Sequence, residues 1–459
     1  MSKVKRTLGI GCTSTLAVLI GLGGAVWIRG NAAPDYKIPE WKLPTPNAYD
    51  TLKEAKKVEI TKFGDIVTSP MTRFDKKLGK SVPEKPQPLE GRKVLLEKNK
   101  AAIAKLREAL VQDYAAPAKY GDLGTSFPAF ANHRELARML SFASRTYADL
   151  GQKDKAAECA VDAIELGILI SHRSHLIGDL VGIACEAIGR KPLWELADGL
   201  DAKTARATVT RLEALEPKRY SFQSVLLDER DYTQSNSFTV MRRNAWELGQ
   251  VYTENETVES FMTVMPGMKG SEKPSVAERT LARSLMTAQL LWHTKKRIFA
   301  ESGRYMVELA EQSKLPYDPK RPSPRMPDDP LNAIMMPVFA QAGQKDTATR
   351  AETAQARAYL AIRAFRLEKG SYPAALQELV TNGYLKSLPD DPFAPRFGQS
   401  FGYRREAGDK FTLWSCGPDG DDDNGRAIVG RNENGTPRTN PHYVQFGDQG
   451  DMVARVNTY

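Results

Sequence analysis

NAIMMPVFAQAGQKDTATRAETAQARAYLAIRAFRLEKGSYPAALQELVTNGYLKSLPDDPFAPRFGQSFGYRREAGDKFTLWSCGPDGDDDNG (332–425) changes period midway, from helical to alternating. Leu360, Ala364 and Leu367 recur at helical spacing, and Gly370 supplies the stop. Tyr372, Leu376 and Leu379 then offer apolar groups to cover that helix. FTLWS sets Phe411, Leu413 and Ser415 against Thr412 and Trp414, the alternation of a half-buried antiparallel strand. The pattern predicts one long helix laid on a small antiparallel sheet.

Together with its continuation to 459, this stretch resembles the major pseudopilin of type II secretion systems. Several motifs stand in the family's order. They are the apolar start with Pro337, the long helix ending at Gly370, the Tyr372-Pro373 turn and a short helix over 374–380. The Leu388-Pro389-x-Asp391-Pro392 loop follows, then strands around Tyr403 and 411–414, and the Gly417-Pro418-Asp419-Gly420 loop. The resemblance implies a pilin-like fold over 331–459 and protein partners in a bacterial envelope, among them secretion or pilus components. The family also begins with a prepilin-peptidase site and a Phe-Thr-Leu-x-Glu start. Nothing of that kind precedes Ile334 or stands in MSKVKRTLGIGCTST at the amino terminus. The unit therefore reads as an interaction module rather than a polymerising subunit.

The acidic run DGDDDNG (419–425) gathers hard oxygen ligands on a glycine-containing turn, as calcium requires. Alternation directs Asp419, Asp421 and Asp423 to one side. It is not an EF-hand, because Asn424 and Gly430 stand where the sixth-position Gly and twelfth-position Glu would be. Related pseudopilins bind calcium after this strand. By that resemblance Asp419 matches one ligand and Asp451 another, with Asp448 nearby, across the inserted RAIVGRNENGTPRTNPHYVQF. A structural calcium on Asp419, Asp421, Asp423, Asp448 and Asp451 stands as the expectation, beside a solvated acidic turn.

Upstream, KLPYDPKRPSPRMPDDP is too rich in proline for a helix and reads as a linker over 314–330. Residues 92–313 read as an all-α domain of helical hairpins. VLLEKNKAAIAKLREAL places Leu95, Ile103, Leu106 and Leu110 near one face. RELARMLSFASRTYADLGQKDKAAECAVDAIELG (134–167) resembles one tetratricopeptide repeat, with Gly151 as the turn and Ala156 and Ala163 as close-packing positions. Residues 29–91 are Pro-rich and read as a stalk with one short helix around TLKEAKK.

Residues 1–9 carry Lys3, Lys5 and Arg6, and IGCTSTLAVLIGLGGAVWI (10–28) has no charge. A helix of that length spans about 28 Å, near a bilayer's hydrocarbon thickness. It predicts a single-pass transmembrane signal anchor in the inner (cytoplasmic) membrane, with the bulk of the chain outside the cytoplasm. A cleaved signal peptide and a lipoprotein are the alternatives. Arg29 interrupts any approach to a cut at Ala32-Ala33, and Cys12 precedes the apolar run instead of following it. The fold class is thus mainly α with a C-terminal α+β domain behind an N-terminal transmembrane helix.

Composition narrows the function classes. The net charge of +9 is spread over 459 residues, and its Lys and Arg lie among acids, as in ERTLAR (278–283), so no basic patch for nucleic acid forms. Three cysteines outside the anchor, Cys159, Cys185 and Cys416, form no CxxC pair. Cys159 and Cys185 each stand thirteen residues from His172, a spacing open to a disulfide or to two buried thiols. His172 and His175 lie in SHRSH with Asp179 beyond. They form either a metal-facing pair or polar groups at a hairpin tip. No G-x-S-x-G, P-loop or G-x-G-x-x-G occurs in a strand–helix setting. A scaffold or adaptor is the reading that results. A hydrolase whose site is assembled in the helical domain and an atypical minor pseudopilin are its rivals.

Overall fold

The computed structural model describes residues 21–59, 63, 68, 71–75, 80–118, 128–248, 276–329, 339–432, 435–438, 442, 444–445 and 447–458. Among these the chain is mainly helical, with one three-stranded antiparallel sheet near its end. Helix α1 covers 21–31, α2 Ala48–Val58, α3 Leu89–Lys98 and α4 Lys100–Ala109. A hairpin, β1 Met71–Asp75 with β2 Lys80–Glu84, lies between α2 and α3. Then come α5 Pro128–Asp149, α6 Lys153–Ile170, α7 His175–Ala197, α8 Ala202–Leu215 and α9 Phe222–Met241. Helices α10 Val276–His293 and α11 Lys295–Gln312 precede the long α12, Phe339–Lys369. Helix α13 Gln377–Thr381 leads to strands β3 Gly402–Glu406, β4 Lys410–Ser415 and β5 Met452–Val453.

The transmembrane anchor expected over 10–28 needs correction. Among the described residues no helix is long and apolar enough to cross a membrane. Residues 10–20 of the expected anchor lie outside the described residues. The described part, α1, stops at Asn31, whose side chain donates to the Trp27 carbonyl at 2.9 Å and accepts the Ala245 N–H at 2.6 Å. The membrane attachment and inner-membrane address that rested on the anchor are withdrawn with it.

Helices α5, α6 and α7 form the centre of the body. Gly151, at φ +74°, turns α5 into α6 in the left-handed conformation a Cβ would strain. The α6–α7 contact is closer than side chains allow. A Cβ on Gly167 would lie 2.5 Å from the Gly182 carbonyl oxygen and 2.6 Å from Glu186 Cγ, and one on Gly189 would lie 2.7 Å from the Ala160 oxygen. Ala156 and Ala163, the small positions read from the sequence, are fully buried. Cys159 and Cys185 sit in the same apolar cluster as free thiols, so the disulfide alternative is set aside. Arg107 approaches Cys159 Sγ at 3.8 Å, and burial pushes both thiols up to about 12.

Residues 32–47 run along this body. The Trp41 indole donates to the Ala116 carbonyl at 2.9 Å, and Tyr36 packs on Phe238 and Phe299. Asn47 caps α2 and exchanges two hydrogen bonds with Ala115. Helix α2 covers the TLKEAKK stretch.

The long helix joins the two halves. One continuous core runs from Ile164, Trp194, Leu200 and Leu212 to Leu360, Phe365, Leu379 and Leu413. Leu360 and Ala364 face that core as the sequence predicts, but Leu367 is 47% exposed because the last turn of α12 passes beyond its cover. Strand β4 pairs with β3 along its length and with β5 at its end, all antiparallel. Gln355 Nε2, buried under the sheet, donates to the Met452 carbonyl at 2.8 Å. Tyr317, in the proline-rich segment after α11, donates to the Pro418 carbonyl at 2.7 Å and packs edge-on against Phe393.

Adding one methyl at the α6–α7 contact should force these helices apart. Gly167→Ala should lower stability by about 1–3 kcal/mol, read as a lower urea midpoint at unchanged slope. Gly24→Ala, whose Cβ meets nothing within 4 Å, should leave the midpoint in place. An unchanged midpoint for Gly167→Ala would mean the two helices do not touch there.

Candidate functional site at the hairpin tip

The tip between α6 and α7 is SHRSH (171–175), and its turn places two non-glycine residues at positive φ, Arg173 at +44° and His175 at +60°. Such backbone persists only where surrounding contacts fix it. Here they do. The Arg173 guanidinium lies 4.5 Å over the Trp41 ring, Trp41 stacks on His175 at 5.2 Å, and His175 stacks on Tyr232 at 4.4 Å. His175 is 2% exposed, and burial lowers its pKa to about 4. His172 turns the other way. Its Nε2 meets the Lys218 carbonyl at 2.7 Å and its ring packs on Tyr220 at 4.9 Å. The two histidines therefore do not converge on a metal. Burial lowers His172, the Lys218 carbonyl opposing.

Beside the tip lies a cleft of about 330 Å³. Leu110, Val111, Ile168 and Leu169 form an apolar wall, and Asp113, Glu165, His172 and Lys218 stand around it. Glu165 accepts from Arg211 at 2.8 Å and from Lys218 at 2.8 Å. Asp162, one turn earlier on α6, takes Arg107 and Arg211.

Arg219, also lining the cleft, belongs to a second cluster behind it, where α7 meets α12. Its guanidinium gives both Nη groups to Glu186, at 3.0 and 2.7 Å. Burial works to lower Arg219, and the Glu186 carboxylate more than offsets it, so the group stays charged. Thr353 donates to Glu186 at 3.4 Å and accepts from Arg190 at 3.3 Å. Arg190 pairs with Glu352, and Arg350 holds Asp346 at 2.7 Å while donating to the Tyr220 carbonyl at 2.9 Å. Sequence reasoning missed this cluster. Its signal was Glu186 and Arg190, four apart on a helix whose neighbouring positions are largely apolar.

The acids expected to bind calcium are placed as follows. Asp451 is fully buried and accepts the N–H groups of Asp423 at 3.2 Å and Gly425 at 2.6 Å. Asp419 accepts Gly450 N–H at 2.8 Å and Asp421 N–H at 3.3 Å. Asp423 pairs with Arg426 at 2.6 Å, and Asp421 lies 3.8 Å from Lys320. Asp448 is apart, held by Arg438 and the Gln445 N–H. Burial raises Asp451 to about 6. The structure thus ties Asp419 and Asp451 into one loop but separates Asp448 from them. Among the described residues no three His, Cys, Asp or Glu gather where they could hold a metal ion. In this arrangement Asp419 and Asp451 accept backbone amides, and Asp423 pairs with Arg426.

The loop has another role. It folds over the outer face of β4, where the Trp414 indole donates to Asp422 at 2.8 Å and the Gly425 backbone packs against the ring. Asp391 of the LPDDP loop works beneath it. It is 4% exposed and accepts from Ser415 Oγ at 2.7 Å, Cys416 N at 2.8 Å and Phe393 N at 3.0 Å. Burial raises Asp391, and these donors oppose the rise.

No family model matches the chain, and neither a curated protein nor a solved structure matches it.

Truncating one member of the buried cluster leaves its partner charge uncompensated. Glu186→Ala should therefore cost about 3–5 kcal/mol in equilibrium unfolding. Asp409→Ala removes the exposed pair with Arg366 and should leave the transition where it is. Equal effects from the two would show that the Glu186 pair is not sealed from water.

Proposed function

We propose that this protein is a scaffold or adaptor in which a pseudopilin-like unit is built into a helical body, and that it holds a partner polypeptide in the cleft beside the hairpin tip. The observation that carries the reading is the state of the cleft's polar groups. Glu165 is neutralised by Arg211 and Lys218, Arg219 by Glu186, and His172 Nε2 is taken by the Lys218 carbonyl. What remains for a ligand is the apolar wall, with Val111 84% exposed at its lip, and the Asp113 carboxylate at its edge. An apolar pocket whose rim charges are mostly paired suits an inserted side chain of a partner, since such a rim excludes water from the contact. Components of a secretion or pilus-like machine are the partners that the resemblance of 331–459 nominates. A shared fold does not by itself carry that function.

One arrangement favours the second reading, an enzyme of the hydrolase class. His172, Asp113 and Glu165 line a single cleft, as a base and its orienting acids would.

A photoreactive amino acid at position 111 tests the first reading inside the cell. It should yield one discrete crosslinked protein, whereas the same group at exposed Val94 should not. Val111→Asp should weaken binding of the captured protein tenfold or more, about 1.4 kcal/mol, at unchanged melting temperature. Crosslinks no different at the two positions would reject the cleft as the docking site. Hydrolysis lost in His172→Gln with the crosslink retained would transfer the case to the enzyme reading.

A further inference from the structure

The cluster between α7 and α12 has one acid too many. Four carboxyl groups, Asp179, Glu186, Asp346 and Glu352, share it with three guanidinium groups, Arg190, Arg219 and Arg350. Each arginine has its own carboxylate: Arg219 holds Glu186, Arg350 holds Asp346 and Arg190 holds Glu352. Asp179 is the remainder. It is 2% exposed, on the α7 face that meets α12, and its Oδ2 has no hydrogen-bond partner among the described residues.

We propose that the joint between the hairpin body and the long helix is held closed by a single proton kept on Asp179, and that loss of this proton loosens the first half of α12 from α7. A neutral acid satisfies the count, since it adds no uncompensated charge to a sealed volume. The described groups around it do not offer a counter-ion. From α12 come Asp346, which repels a second negative charge, and Arg350, already committed to Asp346. From the tip just after α6 comes the Ser171 hydroxyl, a neutral group. From α9, Glu229 is turned to the Leu176 N–H and Asp228 to the Tyr220 hydroxyl. On α7 itself Glu186 adds repulsion, and His175 lies in its aromatic stack with Nδ1 toward the Asp228 carbonyl. Arg134 and Arg138 of α5 act on Cys185, farther along α7. Burial first, and Asp346 next, raise Asp179 well above the usual carboxylate range. Burial likewise raises Asp346, with Arg350 opposing.

The sign of the pH dependence follows. An acid whose pKa is raised in the closed state binds its proton more tightly there than when opened to water. Its contribution is complete below the ordinary aspartate value, near 4, and is lost as pH rises toward the raised one. The opening equilibrium constant should therefore climb about tenfold per pH unit while Asp179 is protonated closed and ionised open.

Amide hydrogen exchange of the intact protein between pH 5 and about 8 reads this directly, because protection reports the opening equilibrium. Helix α12 should lose protection with a slope of about one proton, and Asp179→Asn should remove that slope while keeping protection at pH 8 at least as high. The same slope in both proteins would overturn the proposal. A second measurement needs no variant. In the intact chain labelled at aspartate carboxyl carbons, one aspartate should still be protonated at pH 7. Complete titration of every aspartate below pH 7 would overturn it equally.

Discussion

The Glu186 carboxylate, gripped by both Nη groups of Arg219 and by Thr353, sits where the hairpin body and the long helix meet. Its position follows from a constraint upstream. Gly167 and Gly182 have no side chains, so α6 can press on α7 until Glu186 Cγ occupies the space a Cβ on Gly167 would take. A charge is thereby set in a region from which water is excluded, and the helices around it must supply partners. Arg190, Arg219 and Thr353 are those partners, Glu352 in turn pairs with Arg190, and separate elements are drawn together to bring them. Buried ion pairs add little net stability over apolar packing, but their geometry admits few alternatives. The apolar core from Trp194 to Leu413 supplies the free energy, and the charged cluster fixes the register in which it packs.

The same logic governs the C-terminal unit. Its helix is covered on one side by the sheet and on the other by α7 and α8. Arg455, near the chain's end, reaches the Trp194 carbonyl and Asp198, and Tyr359 and Arg363 converge on Asp198 as well. Arg206 of α8 pairs with Glu368. These contacts stitch the α+β unit into the body, so its surface is not that of a separate head.

Much of this fold can be read from short-range pattern. The helical spacing of Leu360 and Ala364, the stop at Gly370, the Gly151 turn and the close-packing alanines are local signals, and each marks its element. The exposed Leu367 and the doubly covered Trp414 depart from pattern for tertiary reasons. One lies where a helix outruns its neighbours, the other where a distant loop folds back over a strand. The anchor was inferred from an apolar run behind three basic residues, and the described residues contain no helix able to span.

The candidate site was less legible. DGDDDNG suggests a metal by composition, yet in the fold its acids answer backbone amides, an indole and arginines. The acids with unusual surroundings, Asp179 and Asp346, lie far apart in sequence and meet only when α12 returns to α7. No local pattern encodes that meeting. The shared core and the buried charged cluster require the two parts of the chain to be one cooperative body. Scanning calorimetry of the intact protein tests that most directly. A single transition, whose calorimetric and van't Hoff enthalpies agree across the folded body, is the result expected. Two separable transitions, one moved by changes at Leu413 and the other only by changes at Ile164, would contradict it.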